Sequence, residues 1–347
     1  MMMFHMRVRP FLFILTACLC TTWQSARADE AEDFFKKIGR INMIVGSGAG
    51  GGYDQIARVV ARHMSRFLPG NPTISIENMP TAAGIQATNY LFNTAPKDGS
   101  VILADQNSAL ALPIYGSPNA HYDPREFEWI GSLGKQTALC ITSKTSGIAS
   151  LDDARHREVT VSATGVNAGP GVYPLIVNQF LGTKLKVIAG YSTGTMPLAV
   201  DRGEVDGLCG YAWESYQANG SSWFHDQKVN ILVQLGLKKL SALADVPLAR
   251  DLLTSNEDRA VLDLIVLPQE FGRPFVAPPK TPAARMALYR KAFAEILQNK
   301  EFLAEAEQQR IIINAMSNAE IQNLLTQAYA APAKIRERAA VFATQFN

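Results

Sequence analysis

The sequence predicts an α/β protein built as two parallel-sheet units, and three observations predict it. Short apolar runs alternate with amphipathic stretches of helical spacing across residues 41–105, and the alternation starts again at residue 136. Small residues crowd the junctions where a run of one kind gives way to the other, most densely in "GSGAGGG", Gly46 to Gly52. A stretch rich in proline and glycine, Ile265 to Pro282, then interrupts the pattern and reads as a second crossing between the units.

The first 28 residues stand apart. Arg7 and Arg9 precede a mostly apolar run, Phe11 to Trp23, and "SARADE" places Ala26 and Ala28 at a small-x-small cleavage site, so residues 1–28 read as a secretory signal peptide. The run is short of the ~20 residues of a membrane span. Leu15 to Cys18 resembles a lipobox and ranks second, because the apolar run continues past it. Removing Arg7, Arg9 and Arg27 turns 33 basic against 31 acidic residues into 30 against 31. A near-neutral chain without a basic run excludes nucleic acid as partner.

In the first unit the expected elements are a strand at Ile41–Gly46, a helix at Asp54–Leu68, a strand at Thr73–Asn78, a helix at Gly84–Thr94 and a strand at Ser100–Asp105. In the second they are a strand at Gln136–Thr142, a short helix from Ser150, a strand at Glu158–Ala163 and a helix at Val172–Leu181, followed by a strand at Lys184–Ala189, a helix near Met196–Arg202 and a strand at Val205–Cys209. Helices at Pro282–Gln298 and Glu301–Gln309 are expected to pack back on the first unit. Cys140 and Cys209 survive signal removal. A bridge between them is open, and two separate buried thiols are the plainer expectation.

Four strand-to-helix loops carry the functional reading: Gly46–Tyr53, Glu77–Gln86, Ser162–Pro174 and Ala189–Pro197. In doubly wound sheets such loops gather at the carboxyl edge, where ligands bind. Free N–H groups at a helix start attract anions, and glycine lets a ligand approach them. None of the four loops contains Lys or Arg, so backbone groups, hydroxyls and water are expected to hold the ligand.

Other motifs fail on their surroundings. Gly46 to Gly51 fits G-x-G-x-x-G, with Glu77 placed as a ribose-binding acid, yet an export signal and the lack of a catalytic set argue against a dinucleotide enzyme. Gly190 to Gly194 fits the G-x-S-x-G elbow, but an α/β hydrolase needs a histidine well downstream, and His225 is the last one in the chain. His63, His121, His156 and His225 lack ligand spacing, so no metal site is expected. His63 falls on the apolar face of its helix. Asp54 reads first as a helix N-cap and second as a ligand contact, while Tyr53 and Trp213 are candidate cleft walls.

Taken together, "VGSGAGGGYDQIARVVARHM", "NPTISIENMPTAAGIQATNYLFNTAPKDGSVI", "GYSTGTMPLAVDRGEVDG" and "GRPFVAPPKTP" resemble the extracytoplasmic solute receptors of tripartite tricarboxylate transporters, the Bug or TctC family. The likeness runs from about Ile41 to the C-terminal helices. It implies a two-lobed periplasmic binding protein of type II-like form, each lobe a doubly wound, mainly parallel sheet with the ligand cleft between lobes. Lobe 1 would take residues 29–135 and 275–347, and lobe 2 residues 136–274. The resemblance implies a non-enzymatic monomer without cofactor, which closes on a small organic carboxylate in the periplasm and delivers it to a permease of large and small membrane subunits.

Ligand contacts carried over by position are Ser47, Gly48, Ala49, Gly50, Gly51, Gly52, Tyr53 and Asp54 in the first loop, and Thr81, Ala82, Ala83 and Gly84 in the second. The opposite lobe would add Thr164, Asn167, Ala168 and Gly169, then Tyr191, Ser192 and Thr193. The first loop departs from the "PFPAGG" form of many relatives, and Tyr53 stands where a small polar residue is common.

Overall fold

A strand buried on both faces is apolar throughout, and the chain forms its sheets where such runs occur. The computed structural model describes residues 28–165, 169–192, 194–219, 223 and 226–344. Its strands are β1 (Arg40–Val45), β2 (Thr73–Asn78), β3 (Val101–Ala104), β4 (Glu128–Ser132), β5 (Ala138–Ser143), β6 (Val159–Ala163), β7 (Leu185–Ala189), β8 (Gly207–Ala212), β9 (Val229–Leu235), β10 (Pro274–Ala277) and β11 (Met316–Ser317). The helices are α1 (residues 28–38), α2 (Gly52–Met64), α3 (Ile85–Asn93), α4 (Asn107–Ala111), α5 (Leu151–His156), α6 (Gly169–Leu181), α7 (Thr195–Asp201) and α8 (Trp213–Asn219). After these come α9 (Asn256–Val266), α10 (Pro268–Phe271), α11 (Ala283–Ile296), α12 (Lys300–Gln308), α13 (Asn318–Tyr329) and α14 (Ala333–Thr344).

Two sheets divide the strands. The first runs β11-β4-β10-β3-β1-β2 and the second β7-β6-β8-β5-β9. The expected parallel pairing holds for β1 with β2 and β3, and for β6 with β7 and β8. The remaining strands pair antiparallel, so each sheet is mixed. The parallel strands all end at one edge of their sheet, and the loops of interest leave from that edge.

Helix α2 shows why the local sequence folds as it does. Ile56, Val59, Val60, His63 and Met64 recur at helical spacing and are buried, and each of the large apolar ones contributes about 1.5–3 kcal/mol. They pack against α11 and α12. His63 is buried as expected: Nε2 lies 2.7 Å from Glu305 Oε2, and its ring meets Phe302 edge-on at 5.4 Å. The last helix goes elsewhere. Helix α14 lies on α9, with Arg338 bonded to Glu257 and Asp258 and Phe342 against Phe180 of α6, so the C-terminus spans from the first sheet to elements of the second.

The chain crosses between sheets at residues 133–137 and again at residues 272–273, and the crossings are bonded side by side. The Leu133 N–H donates to the Arg273 carbonyl at 3.2 Å, the Gln136 N–H to the Gln269 carbonyl at 2.8 Å, and the Ser132 hydroxyl to the Phe271 carbonyl at 2.5 Å. Trp129 and Phe271 are buried beside them and meet at a tilt, their centroids 6.0 Å apart, in a core continuous through both sheets. Cys140 and Cys209 face each other across β5 and β8 and form a disulfide, which replaces the expectation of two separate thiols.

Candidate ligand site

The loop after β1 is organised by a carboxylate that the sequence reading treated as a cap. The N-cap of α2 is Gly51, so Asp54 is the third residue of the helix, and it is buried. Its Oδ2 accepts from the Gly50 N–H at 2.8 Å and Arg58 Nε at 2.9 Å, and its Oδ1 from Asn78 Nδ2 at 2.9 Å. Asn78 Nδ2 also donates to the Ser47 carbonyl. Burial raises the Asp54 pKa, but Arg58, the Gly50 N–H and Asn78 outweigh it and hold the group below its ordinary value. Asp54 thus clamps the loop from inside. Outside the clamp, Gly48, Ala49, Gly50 and Gly52 are exposed, Ser47, Gly51 and Tyr53 half-buried. The Ser47 hydroxyl is buried without a hydrogen-bond partner among the described residues.

The loop after β2 adopts a left-handed turn. Ala82 (φ 52°, ψ 45°) and Ala83 (φ 53°, ψ 38°) are followed by Gly84 at φ 91°. Two consecutive alanines in this region are strained by roughly 1 kcal/mol each, because the Cβ crowds the following carbonyl. Thr81, Ala82 and Ala83 are exposed, so no burial explains the strain. Replacing both alanines with glycine is expected to raise stability by about 1 kcal/mol in urea unfolding, and an unchanged or lower midpoint would contradict the left-handed turn.

Asp105, immediately after β3, holds the two loops together from below. It is fully buried; Thr88 Oγ1 donates to Oδ2 at 2.5 Å and the Gln106 N–H to Oδ1 at 2.7 Å. A Cβ on Gly46 would stand 2.5 Å from Oδ1 and one on Gly84 3.1 Å from it, so both glycines are required by this approach. Burial pushes the Asp105 pKa up to about 7 against the pull of its two hydrogen bonds.

At the crossing, Arg273 lays its guanidinium 4.5 Å from the Tyr53 ring centroid. With its oxygen turned toward the guanidinium, Gln136 accepts from Arg273 Nη2 at 3.0 Å and Nε at 3.1 Å. The Asn107 N–H reaches the Tyr53 hydroxyl at 3.4 Å. From the second sheet comes Tyr173 of α6. Burial raises its pKa, a hydrogen bond with Gln269 opposes that, and the Tyr53 phenol adds to it.

The remaining expected residues divide. Gly169 opens α6 beside Tyr173, and Thr164 is half-buried at the end of β6. Tyr191 donates its N–H to the Ala163 carbonyl, and its hydroxyl lies 3.4 Å from Glu204. Ser192 is exposed and bonds Thr195 Oγ1 at 3.0 Å, with no histidine on its hydroxyl among the described residues. Trp213 packs on the cluster around Leu139 and Tyr211. Asn167, Ala168, Thr193 and His225 lie outside the described residues. Among the described residues no group of three or more His, Cys, Asp or Glu gathers as a metal site would. The sequence reading did not pick out Asp105, Tyr173 or Arg273. Asp105 carried a signal, a carboxylate at the end of a fully apolar strand.

No family model matches the chain. It is similar to a UPF0065 protein from the TAR-I ttuE-ttuC' intergenic region of Agrobacterium vitis, at 21% identity over 244 residues, which covers 68% of this chain and 66% of that protein. Among solved structures it resembles the periplasmic binding protein BugD, at 20% identity and TM-score 0.63, over 87% of this chain and 98% of that one. It also resembles MatC from Rhodopseudomonas palustris with bound malate, at 19% identity and TM-score 0.61, over 87% and 99%. In fold, the chain is similar to these two-lobed periplasmic binding proteins.

Proposed function

We propose that this chain is an extracytoplasmic solute receptor of the Bug/TctC family. It binds a small organic carboxylate by domain closure and delivers it to a tripartite tricarboxylate-type permease of large and small membrane subunits. The observation that carries the reading is the convergence of bare backbone at one place: the glycine loop before α2 and the left-handed turn before α3 lie together over Asp105. Strain in an exposed turn and an unpartnered Ser47 hydroxyl are what a site awaiting a guest presents. Malate in the similar MatC fits the same class of ligand.

The lobes of this reading are residues 29–135 with 275–347 and residues 136–274, although α14 packs on α9 and α6 of the second. A ligand touching both lobes favours the closed state by its differential contacts. Binding without chemistry is supported by Ser192, whose hydroxyl is engaged by Thr195. Export to the periplasm rests on residues 1–28, and a disulfide suits that oxidising compartment. Ser47–Asp54, Thr81–Gly84, Thr164–Gly169 and Tyr191–Thr193 remain the proposed contact segments, with Asp54 acting through the loop it clamps.

The test is thermal unfolding of the protein from Asp29 with malate, other organic acids, their amides, and NAD or NADP. An acid at 100 times its dissociation constant is expected to add ~2.7 kcal/mol, with the shift lost when the carboxylate is masked. A shift with dinucleotides alone would overturn the reading.

A further inference from the structure

A guanidinium rests at the positive end of a helix. Arg273 Nη1 lies 3.3 Å from where a Cβ on Gly52, the first residue of α2, would stand. Free N–H groups and the dipole make that end of α2 positive. Asp54 in the first turn offsets part of this, but it is already paired with Arg58. Among the described residues no carboxylate lies within ion-pair distance of Arg273 itself. Glu214 is the acid whose field reaches Arg273, and it is turned to the Thr137 N–H at 3.3 Å. The neutral Gln136 carboxamide and the Tyr53 ring hold the guanidinium in place, and neither cancels its charge. The small residue at Gly52 keeps the space beside Nη1 open.

We propose that Arg273 is the cationic anchor of the ligand site, taking one carboxylate of the bound acid beside the N-terminus of α2. The inference rests on the receptor reading above and deepens it. Backbone groups of the two strained or glycine-rich loops supply one neutral anion-binding point, and Arg273 supplies a second, charged one. A ligand with two carboxylates fills both, and the unpartnered Ser47 hydroxyl is a further donor at the first. Because Arg273 belongs to the crossing itself, through its N–H to Ser132 Oγ at 3.0 Å and its carbonyl to Leu133, the ligand's charge is read at the hinge.

The experiment is a cycle between side chain and ligand. Wild type, Arg273→Gln and Arg273→Lys are titrated calorimetrically with malate, with the two monoamides of malate and with adipate. Loss of a charge-assisted pair is expected to weaken diacid binding by roughly 10- to 100-fold in Arg273→Gln. The same substitution should change the affinity of the monoamide lacking the anchored carboxylate by less than about 3-fold, since that contact is already gone. Arg273→Lys keeps the charge without the planar fork and is expected to fall between the two. It also serves as the test variant if Arg273→Gln does not fold, a diacid affinity equal to wild type then overturning the inference. Equal diacid affinity in wild type and Arg273→Gln overturns it, and so does an equal loss for diacid and both monoamides, which would mean a structural role at the hinge. A wild type that binds neither these acids nor any acid of the thermal-unfolding panel defeats the receptor reading itself, and the inference with it.

Discussion

Replacing Gly272 with alanine is expected to prevent the protein from accumulating in folded form. A Cβ at this position would stand 1.1 Å from the Gly134 carbonyl oxygen and 2.2 Å from its carbon. Both atoms belong to backbone, so no side-chain rotation relieves the overlap. Gly272 sits at φ 55° and ψ −104°, a region that disfavours any residue with a Cβ even where space is free. Moving Gly134 away is no remedy. Its neighbours hold the two crossings together through Leu133 to Arg273, Ser132 to Phe271 and Gln136 to Gln269, above the buried Trp129 and Phe271. Opening that ladder strips several buried hydrogen bonds at once, and a destabilisation of more than about 4 kcal/mol follows. Gly48→Ala is the control, since nothing lies within 4 Å of a Cβ there, and it should stay within about 0.5 kcal/mol of wild type. Soluble yield and urea unfolding read both. A cooperative transition for Gly272→Ala within 1 kcal/mol of wild type would mean that the crossings do not approach as described.

The contrast between Gly272 and Gly48 marks what the sequence made legible. Glycines between an apolar run and an amphipathic one announce a turn before a helix, and β1, α2, β2, α3 and β3 lie within a few residues of their expected positions. The second half was readable by the same rule through β8. Strand β10 was not. It has four residues and begins with proline, and it becomes a strand by pairing with β3 and β4, both more than 140 residues earlier. Strand β9 is apolar enough to have been read, and it was passed over. The pairing of Cys140 with Cys209 depends on strand register across 69 residues, which no local pattern encodes.

In the site the division is similar. The glycine loop was visible because glycine has a conformational meaning, while the left-handed Ala82 and Ala83 were invisible because alanine has no preference for that region. Arg273 was overlooked for a different reason. A search of the four loops for cations finds none, and the cation arrives on the return crossing, from another part of the chain.

Asp105→Asn is expected to remove a pH dependence that wild type carries between about pH 4 and pH 7. The ordinary carboxyl value is 3.8, and burial lifts Asp105 to about 7, although Thr88 and the Gln106 N–H stabilise its charged form. Between those values the native state keeps a proton that the unfolded chain has shed, so this group's contribution is complete below pH 4, declines as pH rises, and is exhausted above about 7. Three pKa units correspond to on the order of 4 kcal/mol. Asparagine preserves the shape and can still accept from the Gln106 N–H, while the Thr88 hydroxyl can turn its one proton to the Gly84 carbonyl, 3.0 Å away, and accept from the new amide. The variant should therefore match wild type near pH 4 and exceed it at pH 7.5. Carboxylates with lowered pKa values, such as Asp54 and Glu305, give wild type the opposite slope at acid pH, but they are shared by both proteins and drop out of the difference. The measurement is urea unfolding of both proteins from pH 4 to pH 8. A difference curve flat over that range would mean that Asp105 is ionised in the native protein, with a counter-charge beneath the two ligand loops that its hydrogen bonds do not supply.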